Sequence, residues 1–248
     1  MFVPDALAIA TPEVPPFPQF NAWVTLAAVA AATERVTLGP LVCAVPRRRP
    51  WELAREAAGV DLLSDGRLVL PAGLGAAEDD TGFRAVGEPM ARRERAARLD
   101  EALGLLDALW SGNEVRHAGA HWRIDGMTQL PSPHQRPRVP LWPVAGAGSA
   151  PGARRAARWD GVVPQVPGGA RSLTPGDVRA MLAAIEAERG DMHGFECLVE
   201  PWAEPGQAPT LVAAFAAAGA TWWVESAWLE PDAERVRARI AAGPPRPA

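Results

Sequence analysis

The feature that most constrains the fold of this chain is the alternation of short β-rich runs with longer amphipathic stretches. This pattern is typical of the α/β class, in which parallel strands are joined by crossover helices. At 248 residues and 48% hydrophobic content, the chain is long enough to form one such domain. We predict strands near Phe2–Pro4, Val36–Ala44, Arg67–Ala72, Val139–Ala145, Gly161–Val166, Phe195–Trp202 and Thr221–Ser226. We predict helices over Ala22–Thr33, Pro50–Leu63, Ala91–Trp110, Ala153–Trp159, Pro175–Arg189, Pro209–Ala218 and Pro231–Ala241.

Several helices carry recognisable start signals and core-facing stripes. Thr174 precedes Pro175, and Asp177 follows in the first turn, which is the pattern of a capped helix start. In the long third helix, apolar residues recur at spacings of three and four, so we interpret them as core packing. These residues are Leu99, Leu103, Leu106 and Trp110.

Composition argues against several classes of partner. The net charge is −4, with 25 basic and 29 acidic residues dispersed along the chain, so we expect no nucleic acid or membrane binding. The longest apolar stretch, Ala22–Ala32, is too short to span a bilayer, and we expect a cytoplasmic protein. Cys43 and Cys197 lie in apolar runs, which predicts buried free thiols.

The absence of certain residue types narrows the chemistry. The chain contains no Lys and no Tyr, and it has no Gly-x-Ser-x-Gly or His-Glu-x-x-His motif. Schiff-base chemistry, a phosphate-loop lysine, a serine hydrolase and a zincin are therefore unsupported. We infer that any reaction here depends on a cofactor.

Several stretches resemble the luciferase-like monooxygenase family. The run Trp23–Val42 is followed by Arg48-Arg-Pro, Leu53-Ala-Arg-Glu and Asp61-Leu-Leu-Ser-Asp-Gly-Arg, and together these stretches carry the resemblance. Further similar stretches are Gly73-Leu-Gly, Leu99-Asp-Glu-Ala-Leu, Leu109-Trp-Ser-Gly, Pro131-Ser-Pro-His-Gln, Pro140-Leu-Trp, Arg158-Trp-Asp-Gly and Gly219-Ala-Thr-Trp-Trp-Val-Glu.

The resemblance implies a parallel (β/α)8 TIM-type barrel that binds FMN or, as the alternative, 8-hydroxy-5-deazaflavin. It implies a monooxygenase-type oxidation of a small organic substrate with reduced flavin, or a deazaflavin-dependent hydride transfer. Family members usually have a strand and a helix before the segment matching Phe2–Asp5, and many have a His where this chain has Ala6. A mechanism that uses this His as an acid, as in deazaflavin-dependent relatives, would lack that residue here.

We therefore interpret residues 1–248 as a single barrel domain that apparently lacks its first βα unit. Such a gap would leave the strands at Phe2–Pro4 and Thr221–Ser226 with open edges. Upstream residues, a second copy in a homodimer, or a shift of the last strand could fill it.

Candidate binding residues follow strands, because ligands of β/α barrels sit at the carboxyl ends of the strands. Gly146-Ala147-Gly148-Ser149 follows a strand and opens a helix, so it could hold a phosphate, with an ordinary turn as the alternative. Gly73-Leu74-Gly75 could let a flavin ring approach the backbone, or could simply form a tight loop. In relatives, the strand end matching Cys43 and Ala44 backs the flavin ring, often with unusual backbone geometry; core packing is the alternative.

Other polar residues are less directly connected to a site. We interpret Arg47–Arg49 as solvated charges in a loop; the alternative is that they contact a phosphate or an acidic substrate. We interpret Glu225 as a residue that forms a structural hydrogen bond; the alternative is that it acts as a catalytic acid. His117 and His121 flank the Ala-Gly-Ala turn of a predicted hairpin, Val115–Asp125, on the face opposite the ligand, so we expect no metal there. Leu74–Met90 is long for a connecting loop and could be a lid.

No catalytic acid or base is assigned. A non-catalytic flavin-binding paralogue is the alternative from a different functional class, since Ala6 and the missing unit could both accompany loss of activity. Substrate-dependent turnover would distinguish the two.

Overall fold

A computed structural model describes residues 1–7, 18–76, 82–169, 171–201, 208–226 and 232–245. The chain divides into two compact units, Met1–Val144 and Ala145–Ala248. The proline-rich run Thr11–Gln19 predicts a loop and the run from Gly243 predicts a loose tail; the loop falls mostly outside the described residues, as does the end of the tail.

The first unit alternates strands and helices before it ends in a hairpin and a further strand. Its helices are α1 (Ala22–Ala32), α2 (Pro50–Leu63) and α3 (Arg92–Trp110). Its strands are β1 (Phe2–Val3), β2 (Gly39–Pro40), β3 (Cys43–Ala44), β4 (Leu70–Gly73), β5 (Glu114–Ala118), β6 (Arg123–Thr128) and β7 (Leu141–Gly146), the last of which crosses the boundary between the units.

Strand pairing in the first unit is parallel except in the hairpin. β1 pairs with β2, while β4 lies between β3 and β7. β5 and β6 form an antiparallel hairpin, as predicted for this segment. The first unit is therefore an α/β structure with parallel strands, in agreement with the predicted class.

The core of the first unit forms where the helices bury their apolar faces. Leu99, Leu103 and Leu106 on α3 are fully buried, which confirms the predicted stripe. Trp110 closes the stripe, and its indole N–H donates to the carbonyl of Ala54 on α2 at 2.9 Å. This bond satisfies the one polar atom of a large buried side chain.

The second unit repeats the alternation. Its elements are α4 (Ala150–Ala156), β8 (Gly161–Gln165), α5 (Pro175–Arg189), β9 (Glu196–Val199), α6 (Ala208–Ala217), β10 (Trp222–Trp223) and α7 (Ala233–Ala242). β9 pairs in parallel with β8 on one side and with β10 on the other. Its core includes Val162, Met181, Ile185, Cys197 and Phe215. Across the described ranges of both units, no helix combines the length and apolarity that a membrane crossing requires.

Some predicted boundaries were wrong. The predicted strand Val36–Ala44 is two short strands, because Gly39–Pro40 pairs with β1 whereas Cys43–Ala44 pairs with β4. The helix predicted from Ala153 begins at Ala150, since Ser149 caps it. The helix predicted from Pro231 begins at Ala233, because Asp232 accepts the N–H groups of its first turn.

Candidate functional site

Two of the predicted ring-supporting segments lie side by side in the first unit. In the parallel pairing of β3 with β4, Cys43 is opposite Ala72 and Ala44 is opposite Gly73. Because the strands are parallel, these residues meet at the carboxyl ends, where open α/β sheets bind ligands. A Cβ atom at Gly73 would lie 3.2 Å from Cγ2 of Val144. The strand end is therefore crowded enough to favour glycine.

The backbone just before this strand end has an unusual geometry. The peptide bond between Leu41 and Val42 is cis. Leu41 and Cys43 are buried, whereas Val42 is half-buried. The cis bond lies just before Cys43, at the strand end for which unusual backbone geometry is predicted.

The carboxylate of Asp5 is bound by donors from the segment around the end of β3. Its Oδ2 accepts the N–H of Ala44 at 3.3 Å and the Nε–H of Arg48 at 3.1 Å. Its Oδ1 accepts Nη2 of Arg47 at 2.8 Å and Nη2 of Arg48 at 2.7 Å. Both carboxylate oxygens are thus occupied, and the end of β3 is tied to the residues that follow β1.

The expectation that Arg47, Arg48 and Arg49 form a solvated cluster was wrong for the first two. The side chains of Arg47 and Arg48 are 7% and 14% exposed. Arg48 also pairs with Glu56 at 2.9 Å, and its Cζ lies 5.9 Å from the ring centroid of Trp23. Only Arg49 of the three is exposed. The physical reason is the buried carboxylate described above, which lies far away in sequence.

The charges of this cluster fix the protonation of its members. Burial alone would raise the pKa of the Asp5 carboxyl, but hydrogen bonds and charges from Arg48 and Arg47 outweigh burial and lower that pKa below its usual range. Burial raises the pKa of the Cys43 thiol far above its usual range, and the Asp5 carboxylate raises it further. At neutral pH, Asp5 is an anion and Cys43 a neutral, unreactive thiol.

Sequence reasoning missed two residues that fix the backbone after β4. Arg95, in the first turns of α3, is 2% exposed, and its Nη1 donates to the carbonyls of Leu74, Gly75 and Ala76 at 3.3, 3.4 and 2.8 Å. The Cζ of Arg95 lies 5.3 Å from the ring centroid of Phe83. The only sequence signal was an arginine four residues before the first leucine of the apolar stripe.

Gly75 is required by this arrangement. Its φ is +82°, a conformation that favours glycine, and a Cβ atom there would overlap the ring of Phe83. Phe83 itself is fully buried. The tight-loop interpretation of Gly73-Leu74-Gly75 therefore has a structural basis.

In the second unit, the predicted phosphate-binding residues form a turn between β7 and α4. The N–H of Ser149 donates to the carbonyl of Gly146 at 2.9 Å. The Ser149 hydroxyl accepts the N–H of Gly152 at 3.2 Å and caps the helix. Gly148 has a φ of +74° and open space where a Cβ would lie. The N–H of Ser149 is thus already engaged, while its hydroxyl proton is still available for a ligand.

Gln165, which was not predicted, contacts this turn through its backbone and Glu200 through its side chain. The N–H of Ala147 donates to the carbonyl of Gln165 at 2.8 Å. The side-chain amide of Gln165 in turn donates to Oε1 of Glu200 at 3.4 Å. Gln165 is the last residue of β8, and Glu200 directly follows β9. The predicted strands alone could therefore have indicated both residues as candidates.

Comparison with known proteins identifies the family of this chain. A profile of the luciferase-like monooxygenase family matches residues 5–195. The chain belongs to this family.

The names of curated relatives of this luciferase-like chain indicate two kinds of cofactor. It is 31% identical over 125 residues to the oxygenase component of the flavin-dependent trigonelline monooxygenase of Acinetobacter baylyi. It is 36% identical over 126 residues to the F420-dependent glucose-6-phosphate dehydrogenase of Nocardia farcinica. Each alignment covers 50% of the chain but only 34% and 36% of those relatives, so the matched part is about a third of their length.

Solved structures support the fold. The coenzyme F420-dependent tetrahydromethanopterin reductase of Methanopyrus kandleri superposes with a TM-score of 0.74 at 15% identity. This superposition covers 94% of the luciferase-like chain and 86% of the reductase. At this identity, the likeness is evidence for the fold alone.

The remaining candidates have structural partners. Glu225 forms an ion pair with Arg239 on α7, which confirms its predicted structural role. Nε2 of His117 contacts Oε1 of Glu101 on α3 at 2.8 Å. The carboxylate of Glu101 also accepts the backbone N–H groups of His121 and Trp122, both at 3.0 Å. One carboxylate therefore fastens the turn of the β5–β6 hairpin to α3.

Proposed function

We propose that this luciferase-like chain is a flavin-dependent oxidoreductase that binds FMN, with a deazaflavin as the alternative, and acts on a small organic molecule. The observation that carries this proposal is the strand end formed by Ala44 and Gly73. It consists of backbone and small side chains, and the charges beside it are already paired with one another. Such a surface suits a flat, largely uncharged ring rather than a charged ligand.

The residues of the first unit are compatible with a flavin ring. Gly73 and Ala44 present no large side chain, and Leu74, Gly75 and Ala76 are half-buried at the rim. Small residues let a ring approach the backbone closely. Reduced flavin would supply the redox chemistry, by oxygen transfer from dioxygen or by hydride transfer. The chain's own contribution would be to bind, orient and shield it.

The residues of the second unit are compatible with a phosphate group. Because the N–H of Ser149 is engaged within the turn, we propose that the phosphate is held by the Gly148 N–H and the Ser149 hydroxyl. Because the chain has no lysine, no lysine ammonium group can bind this phosphate.

The protonation states of the Asp5 cluster favour a reaction in which protein side chains do not donate or accept protons. Asp5 is ionised and fully hydrogen-bonded, and Ala6 supplies no titratable group. Monooxygenase-type chemistry, in which the cofactor and dioxygen provide the reactive groups, is therefore our first choice. The name of the trigonelline monooxygenase supports this choice, and the names of the F420-dependent dehydrogenases support the alternative.

The larger organisation is part of the same proposal. We propose that residues 1–248 belong to a single domain of the (β/α)8 TIM-barrel type. We further propose that the protein works in the cytoplasm and that it can form a homodimer. No nucleic acid or membrane partner is proposed.

A non-catalytic flavin-binding protein is the second candidate function. It is favoured by one observation: Ala6 follows a carboxylate whose described partners, Arg47, Arg48 and the Ala44 N–H, are all structural. In this case, flavin would bind without supporting any oxidation.

The test begins with cofactor binding. Purified protein is mixed with FMN and, separately, with the deazaflavin, and absorbance is recorded after gel filtration. We expect stoichiometric FMN to remain bound. If neither compound is retained, the proposal is wrong; if FMN is retained but no tested substrate accelerates oxidation of the reduced form, the non-catalytic function is favoured.

A further inference from the structure

The direction of three peptide groups after β4 follows from their contacts with Arg95. The carbonyls of Leu74, Gly75 and Ala76 all point to one nitrogen, Nη1 of Arg95. In a trans peptide, the carbonyl and the N–H of the following residue point in opposite directions. The N–H groups of Gly75 and Ala76 therefore face away from Arg95 and α3. Two adjacent donors with a common direction form a site for an oxygen atom of a ligand.

We propose that Arg95 is a positioning residue that aims the N–H groups of Gly75 and Ala76 at a carbonyl oxygen of the bound flavin ring. This inference rests on the proposed function, since it assumes that a flavin binds at the carboxyl ends of β3 and β4. Gly75 directly follows the half-buried Leu74, two residues after Gly73, which is paired with Ala44. The donors thus lie at the rim of the surface to which the ring is assigned.

The surroundings of Arg95 hold this arrangement rigid. The guanidinium lies against the ring of Phe83, and that ring covers Gly75. Arg95 is 2% exposed, so water does not compete for its donors. A positively charged group behind the three carbonyls also polarises their peptide units, which strengthens the N–H donors on the opposite side.

The first experiment establishes whether a flavin binds at all. The wild-type chain is titrated with FMN, and binding is followed by fluorescence quenching and by the long-wavelength absorption band. Absence of binding would refute the proposed function, and this inference with it. Binding by the wild type permits the variants to test the inference alone.

The decisive variant removes one of the two donors. Ala76→Pro deletes the Ala76 N–H at a half-buried position, and the matched control Ala85→Pro deletes an N–H from an exposed turn of the same loop. We expect Ala76→Pro to raise the Kd for FMN about fivefold, as for the loss of one net hydrogen bond. We also expect it to shift the absorption band and lower the reduction potential of bound FMN. If Ala76→Pro and Ala85→Pro bind FMN with the same Kd and spectrum, the inference is overturned.

Variants of Arg95 test the positioning role. Arg95→Met removes the donor to the three carbonyls, whereas Arg95→Lys keeps a cation whose ammonium has three donors. We expect the spectral shift to appear in Arg95→Met and to be partly reversed in Arg95→Lys, with the exposed Arg92→Met as the control. If Arg95→Met does not fold, the Ala76 and Ala85 variants decide the matter. A folded Arg95→Met that binds FMN with the wild-type spectrum would refute the positioning role.

Discussion

The guanidinium of Arg48 and the carboxylate of Asp5 face each other through two hydrogen bonds, from Nε to Oδ2 at 3.1 Å and from Nη2 to Oδ1 at 2.7 Å. This two-point geometry is the strongest way in which arginine binds a carboxylate. The Asp5 side chain is 4% exposed, so the pair is largely shielded from solvent. Loss of Arg48 would leave the buried Asp5 carboxylate with Arg47 as its one remaining cationic partner among the described residues.

Replacing Arg48 should therefore cost much more than replacing an arginine of a surface pair. We expect Arg48→Met to lower the free energy of unfolding by about 3 kcal/mol, as for other broken buried pairs. The control is Arg116→Met, since Arg116 is 66% exposed in its pairs with Glu114 and Asp125; its loss should be below about 1 kcal/mol. Urea unfolding of both variants measures the difference, and equal losses would show that burial of the Asp5 pair is unimportant.

The stability of the protein should decrease in acid through the same carboxylate. The pKa of Asp5 is lower in the folded protein than the value of 3.8 expected for the unfolded chain. Its contribution is therefore fully present above that value and is lost as the pH falls towards the lower folded pKa. We expect the unfolding free energy of Asp5→Asn to depend less on pH below about 4 than that of the wild type. Parallel pH dependences would contradict the lowered pKa.

Ser149 should affect phosphate binding as well as helix stability. Ser149→Ala and Thr174→Ala both remove a helix N-cap, on α4 and α5, and each should cost about 1 kcal/mol. Only Ser149→Ala should also weaken FMN binding, by about tenfold, because its hydroxyl is the proposed phosphate donor. Binding of riboflavin, which lacks the phosphate, should be unchanged in both variants. An equal loss for FMN and riboflavin in Ser149→Ala would assign Ser149 to the helix cap alone.

Alanine substitutions at Gly75 and Gly87 should distinguish the cost of backbone strain from the cost of a packing overlap. Both have positive φ, +82° and +74°. A Cβ atom at Gly75 would overlap Phe83, whereas a Cβ atom at Gly87 would have open space around it, with no described atom of a non-adjacent residue within 4 Å. Gly87→Ala should cost about 1–2 kcal/mol from strain alone, and Gly75→Ala should cost clearly more. Phe83→Leu should reduce the excess in Gly75→Ala when the two are combined. Equal costs in thermal or urea unfolding would rule out the Phe83 contact as the reason for glycine.

Helix boundaries were predicted well where the chain itself carries the signal. Pro175–Arg189 was predicted with both bounds correct, because Thr174 and Asp177 form a reciprocal capping box and Gly190 follows the end. Pro50–Leu63 was also predicted correctly, with proline at its first position. These signals are local, so one sequence is sufficient to detect them.

Strand pairing was less predictable, because it depends on partners far away in sequence. The run Val36–Ala44 is mostly apolar, yet Gly39–Pro40 pairs with β1 and Cys43–Ala44 with β4. Nothing in hydrophobic periodicity marks a change of partner within one run.

The same limit applies to the candidate site. The apposition of Ala44 and Gly73 could be predicted, since both end strands of a parallel sheet. The burial of Arg47, Arg48 and Arg95 could not, because an arginine normally indicates a surface. Each is stabilised in the interior by partners of which the sequence gives no sign, a distant carboxylate in two cases and a row of carbonyls in the third.

The contacts of Arg95 and Phe83 also bear on how this loop could diverge between related proteins. Arg95 holds the chain as far as Ala76, and Phe83 is fixed by its position over Gly75. The two anchors therefore lie on either side of residues 77–82. We expect insertions in that interval to cost little free energy, because the closure entropy of a loop grows slowly with its length. Substrate preference could thus change there by exchange of a short segment, while the residues assigned to the cofactor remain the same.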